Sequence, residues 1–162
     1  MRAIRKLADH VVDTSEMTVH ELRHVFTGVA AGATPGAQLV VTILSFGFKH
    51  GIPVDLDLLF DVRFLPNPHF VPALRPHTGR DPQVVRYLDR SRATHQFLKH
   101  TLNLLKFLVP QYVTEGKTYL TVGIGCTGGR HRSVAMAEAL KKGLSGIPGV
   151  RLRVKHRDIA LD

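Results

Sequence analysis

Residues 121–134 read Thr-Val-Gly-Ile-Gly-Cys-Thr-Gly-Gly-Arg-His-Arg-Ser-Val. An apolar run dissolves into small residues, and a helical pattern begins at Ser133. A strand, a tight loop and a helix in that order make half of an α/β unit. Gly125, Gly128 and Gly129 let the backbone turn sharply and bring several N–H groups toward one point. The helix start adds unpaired donors and the positive end of its dipole. Arg130, His131 and Arg132 add more donors. Glycines alone would make only a tight turn. Three basic residues beside them favour an anion, phosphate first and carboxylate second.

The flanking sequence continues the α/β pattern. Leu39 to Phe46 is apolar and β-branched, as in a strand buried on both faces. Leu56 to Val62 is a second strand, and a Pro-rich loop runs from Arg63 to Pro76. Asp81-Pro82 starts a short helix reaching Leu88. A long helix covers Thr94 to Tyr112, with Phe97, Leu98, Leu102, Leu105, Leu108, Val109 and Tyr112 at helical spacing. Pro110 is expected to kink or end it. Thr118 to Ile124 is the third strand, and Ser133 to Leu144 the third helix. Val150 to His156 alternates Val150, Leu152 and Val154 with Arg151, Arg153 and Lys155, which predicts a half-buried edge strand. The expected fold is α/β, a mainly parallel sheet with flanking helices.

Ahead of this lies a different composition. Residues 28–38, Gly-Val-Ala-Ala-Gly-Ala-Thr-Pro-Gly-Ala-Gln, read as a linker. A strand over 8–12 and a helix from Thr18 to Phe26, opened by a Thr18–Glu21 capping box, precede it. Residues 1–38 are thus an N-terminal strand-helix arm with its linker, and 39–162 the main domain.

The chain has 162 residues and a formal charge of +9. At 44% apolar it can bury a core, and disorder is not expected. Its single cysteine excludes a disulfide framework and a four-cysteine zinc site, and no metal site is read. No apolar run reaches the ~18 residues of a membrane span. The N-terminus lacks the apolar core of a signal peptide. A cytoplasmic protein without membrane partners is the expectation. Eight Lys and Arg against one acid lie between Cys126 and Arg157, a field that attracts phosphates. With no Trp and few aromatics, base-stacking platforms gain little support. No Gly-x-x-x-x-Gly-Lys-Ser/Thr occurs, so P-loop nucleotide binding is not written here.

Cys126 and Arg132 stand at the Cys-x5-Arg spacing of cysteine-dependent phosphatases. A helix N-terminus and nearby cations favour a thiolate there. Gly125 precedes the cysteine where most such enzymes carry His, and no general acid is marked. A small buried thiol is the equal alternative. Ligands of open α/β sheets sit beyond the C-terminal strand ends. Three such ends bring Lys49, then Asp61, Arg63 and His69, then the Cys126 loop, toward one crevice. Lys49, Arg63, His69 and Arg132 would share an anion. Asp61 would accept from a ligand amine or hydroxyl, or pair with Arg63.

Three segments carry a family resemblance: LSFGFKHGIP (44–53), FDVRFLPNPHF (60–70) and GIGCTGGRHRSV (123–134). They look like the C-terminal domain of the RapZ family, bacterial RNase adapter and nucleotide-binding proteins. Residues 8–22 resemble the end of that family's N-terminal, Walker-bearing domain. The resemblance implies a phosphofructokinase-subdomain-like fold and a sugar-phosphate pocket, glucosamine-6-phosphate being the expected ligand. Lys49, Asp61, His69, Thr127, Gly128, His131 and Arg132 match that pocket; Cys126, Gly129, Arg130 and Ser133 complete the loop. It also implies a small regulatory RNA, a ribonuclease partner and dimeric or higher assembly, without a cofactor. RNA-binding relatives end in a basic tail, whereas this chain is neutral to acidic after Arg157. Its RNA candidates are Arg151, Arg153, Lys155 and Arg157. The expected function is a regulatory binding domain. A Cys126–Arg132 phosphatase is the alternative.

Overall fold

A computed structural model describes residues 12–15, 17, 22 and 39–161. The chain divides between Ala37 and Gln38 into two compact units, and the sheet with its helices belongs to the second. The predicted strand over 8–12, helix over 18–26 and linker over 28–38 lie outside the described residues, save Val12 and Leu22.

Four strands form one sheet: β1 (Leu39–Gly47), β2 (Leu58–Asp61), β3 (Tyr119–Cys126) and β4 (Val150–His156), in the order β2-β3-β1-β4. Every pairing is parallel. Three helices complete the unit: α1 (Pro82–Asp89), α2 (Arg92–Glu115) and α3 (Arg132–Leu144).

The helices share one core with the sheet. Leu39, Val41 and Ile43 of β1 and Leu120, Val122 and Ile124 of β3 are fully buried with Leu105 of α2 and Leu140 and Leu144 of α3. Each such side chain contributes roughly 1.5–3 kcal/mol when removed from water. The sheet's other face is treated differently. There the segment from Phe48 to Asp57 crosses from β1 to β2. It packs Leu56 over Gly123 and Phe48 over Gly125, where any Cβ would collide with those side chains. Farther along, Val40, Thr42 and Leu44 of β1 stand opposite Arg151, Arg153 and Lys155 of β4. β4 is an edge strand, and its three basic residues are exposed between partly buried Val150, Leu152 and Val154.

Several boundaries differ from the expected ones by a residue or more, two of them for identifiable reasons. β2 begins at Leu58, not Leu56. The Asp57 N–H still donates to the Thr121 carbonyl at 3.0 Å, but the Thr121 N–H turns to the Asp57 carboxylate at 2.7 Å, which also accepts the Lys117 ammonium at 2.7 Å. α2 runs through Pro110 to Glu115 and ends on Gly116 at φ 82°. Proline loses one donor, but buried Val109 and the core contacts of Tyr112 and Val113 carry the helix past it. No helix among the described residues is long and apolar enough to cross a membrane.

Candidate functional site

β3 ends on Cys126, and α3 begins six residues later. Between them the loop turns through Gly129 at φ 77°. It also presses against the end of β1. A Cβ on Gly47 would fall 2.5 Å from the Gly128 carbonyl carbon, and one on Gly129 would fall 2.6 Å from the Gly47 nitrogen. Only glycines permit this approach. The Lys49 N–H closes it by donating to the Thr127 carbonyl at 3.1 Å.

Beside this contact lies a cavity of about 790 Å³. Its wall includes Lys49, His69, Arg75, Arg130, His131 and Arg132, with Cys126, Thr127 and Gly128. No carboxylate lines it among the described residues. The N-terminus of α3 opens there with no side-chain cap and no acid in its first turn. Uncapped first-turn donors and the helix dipole both favour an anion.

The arginines are held by backbone carbonyls. Arg132, 5% exposed, donates to the Arg63 and Leu65 carbonyls at 2.7 and 3.2 Å and to the Thr127 hydroxyl at 3.2 Å. Arg130 donates to the carbonyls of Pro76 and His77 at 2.8 and 3.3 Å. Arg75 Nε reaches the His69 carbonyl at 3.0 Å. The cations thus arrive with their geometry set, and they fasten the 63–77 loop over the site. His131 Nε2 donates to the Arg75 carbonyl at 3.3 Å, which leaves Nδ1 as its acceptor. Burial pushes the His131 pKa down, and neighbouring Arg130 and His69 add to that, against the upward pull of its carbonyl bonds. It is neutral near pH 7. The Lys49 ammonium and the His69 imidazole hydrogen-bond to no described residue.

Cys126 is 3% exposed and is held from two sides. Its sulfur accepts the Gly129 N–H at 3.2 Å and lies 3.2 Å from the Ser133 hydroxyl. Ser133 is fully buried and serves the sulfur, not the cavity wall.

Asp61 and Arg63 do not reach that wall. They pair with each other, Arg63 Nη2 to Asp61 Oδ2 at 2.7 Å and Nε to both carboxylate oxygens. The Arg63 hydrogen bonds hold the Asp61 carboxyl below its ordinary range. The Arg63 guanidinium also lies 4.2 Å from the centre of the Phe48 ring. Of the two uses read for Asp61, the structure contains the pairing with Arg63. Arg157, grouped with the basic strand, instead donates to the carbonyls of Gly47, His50 and Gly51.

Sequence reasoning passed over Asn67, Phe70, Pro72, Arg75, Pro76 and Leu161, which also line the cavity. Asn67-Pro68 was a usable signal: the Asn67 carboxamide accepts the His69 N–H at 3.3 Å and starts a short 3-10 turn. Leu161 carried no signal at all.

The chain as a whole is similar to known proteins. The model of the RapZ C-terminal domain matches residues 39–160. A nucleotide-binding protein of Trichlorobacter lovleyi is 48% identical over 98% of this chain and 55% of its own length. One from Acidobacterium capsulatum is 49% identical over 98% of this chain and 52% of its own. A third, from Geobacter sulfurreducens, is 48% identical over 98% and 55%. The chain spans about half the length of these curated relatives.

Proposed function

The chain belongs to the RapZ C-terminal domain family, and on that premise we propose that it is a regulatory binding module for a sugar phosphate, with glucosamine-6-phosphate as the first ligand to test. One observation carries this reading. The cavity gathers cationic side chains and an uncapped helix N-terminus while no carboxylate lines it among the described residues. Such a site holds a doubly charged phosphate through charge-assisted bonds. The sugar would meet His69, whose imidazole is open, and the exposed Phe70 ring beside it. The name "nucleotide-binding protein" belongs to relatives about twice as long. This chain lacks a Walker A motif, so a nucleotide enters as a competing ligand.

Calorimetric titration tests this with glucosamine-6-phosphate, glucosamine, inorganic phosphate and ATP. The ester should bind, glucosamine should not, and free phosphate should bind more weakly. Equal heats for the ester and free phosphate would reduce the site to a generic anion loop. Preference for ATP would overturn the sugar-phosphate assignment.

A second reading concerns RNA, and a specific observation supports it. Arg151, Arg153 and Lys155 are exposed in register beside Val40, Thr42 and Leu44, on the face away from α1, α2 and α3. A row of exposed cations along an edge strand suits a phosphate backbone.

A further inference from the structure

Three residues before the chain reaches the cavity wall at Leu161, buried Asp158 forms an ion pair with Arg157 that no ligand role explains. Asp158 is 2% exposed. Its Oδ1 accepts Arg157 Nε at 2.8 Å and its Oδ2 accepts Arg157 Nη2 at 2.7 Å. Oδ2 also accepts the Gly47 N–H at 2.6 Å. Arg157 then reaches the Gly47, His50 and Gly51 carbonyls at 3.2, 3.3 and 2.8 Å. Together the pair grips both ends of the short turn that carries Lys49.

The same pair backs the anion loop. A Cβ on Gly129 would stand 2.8 Å from the Asp158 Cβ. Lys49 bridges the two loops through its N–H to the Thr127 carbonyl, and its Cε lies 3.8 Å from where a Gly128 Cβ would stand. The Lys49 ammonium has no described partner, so only the position of its backbone aims it. A buried carboxylate near an anion site would repel the anion unless it were neutralised. Arg157 neutralises it and turns it into a structural anchor.

We propose that Asp158, acting with Arg157, is a positioning residue of this site: it holds the 47–51 turn so that Lys49 stands at the cavity wall for the ligand phosphate. This rests on the phosphate reading of the cavity.

The test uses the full chain with Asp158→Ala, Asp158→Asn and Arg157→Ala, each also in a Lys49→Ala background. Arg157 is partly exposed, so its variant keeps the test decisive if Asp158→Ala does not fold. Titration with glucosamine-6-phosphate should show Asp158→Ala and Arg157→Ala about tenfold weaker, and less than about twofold weaker once Lys49 is gone, the signature of coupled residues. Asp158→Asn, which can still accept from Gly47, should recover most of the loss. Equal losses in both backgrounds overturn the proposal. Hydrogen exchange without ligand is read in parallel. Protection of the Lys49 amide should fall in Arg157→Ala, while that of Val41 in the core stays unchanged. Unchanged Lys49 protection overturns the positioning role by itself. Absence of any heat from the wild type overturns the phosphate reading and, with it, the role proposed here.

Discussion

The Arg132 guanidinium donates to the backbone carbonyl of Arg63 at 2.7 Å, tying the first turn of α3 to the segment that leaves β2. It reaches Leu65 and Thr127 as well. The arginine of the Cys-x5-Arg spacing is therefore a brace before it is a ligand contact. Both functions share one side chain, and a substitution removes both.

Arg132→Ala should accordingly lose stability together with ligand. Stranding buried carbonyls costs about 1–3 kcal/mol each, so urea unfolding should show a loss of about 3 kcal/mol. Arg132→Lys should recover little, because an ammonium cannot span three acceptors as a guanidinium does. Full stability with abolished binding would mean that the brace contributes nothing.

Gly129→Ala tests the contact between the loops. The residue sits at φ 77°, and its Cβ would meet the Gly47 nitrogen at 2.6 Å. Strain in that region costs about 1–3 kcal/mol, and the backbone collision adds to it. Thermal melting should drop, and phosphate affinity should fall with the displaced loop. Gly51→Ala is the control, with φ 82° but nothing near its Cβ. It should lose less.

Much of this arrangement was legible because local patterns and long-range packing agree. β4 matches its expected bounds, since strict alternation of Arg and Lys with Val and Leu has one reading. Cys126, Lys49 and His69 were legible from their places at the end of β3, just past β1 and in the loop after β2. Asp158 was not. An acid after a basic strand reads as surface, and only the fold shows it buried beneath Gly47. Arg75 and Phe70 were hidden too. Arg75 is held there by bonds from residues more than fifty positions away, His131 to its own carbonyl and Arg130 to Pro76, and Phe70 is an exposed ring that no pattern marks. The fate of Pro110 depended on core contacts later in the same helix.

Stability should depend on His131 in mildly acidic solution. Burial, the largest influence, depresses its pKa from the ordinary 6.5. The unfolded chain then takes up this proton before the folded one does. The contribution is complete above about pH 6.5 and declines as pH falls toward the lower folded value. Denaturant unfolding between pH 7.5 and 5 should show this decline, with a shallower slope in His131→Gln. The carboxylates of Asp61, Asp158 and Glu138 are all held below their ordinary values. Their stabilisation is lost only at lower pH. Identical slopes in the two proteins would remove His131 from the explanation.

Cys126→Ser separates sensor from phosphatase. The sulfur is engaged by Gly129 and Ser133, and no carboxylate among the described residues lines the cavity to act as general acid. The serine hydroxyl can keep both contacts, so glucosamine-6-phosphate affinity should change by less than about threefold, under one kcal/mol. An aryl phosphate should not be turned over by either protein. Turnover by the wild type that disappears in the variant would restore the enzyme reading.

The basic edge yields the last prediction. Arg151, Arg153 and Lys155 are exposed, whereas Arg157 is committed to the 47–51 turn. If RNA lies along β4, each cation that neutralises a phosphate contributes about −0.7 to the slope of log affinity against log salt for a single strand. Replacing all three by Gln should make that slope shallower by about 2 and weaken binding at low salt. Melting temperature and sugar-phosphate affinity should hold, since none of the three lines the cavity. Arg157→Gln should behave in the opposite way, disturbing the ligand site while leaving most of the salt slope. An unchanged slope in the triple variant would place any RNA contact elsewhere on the protein.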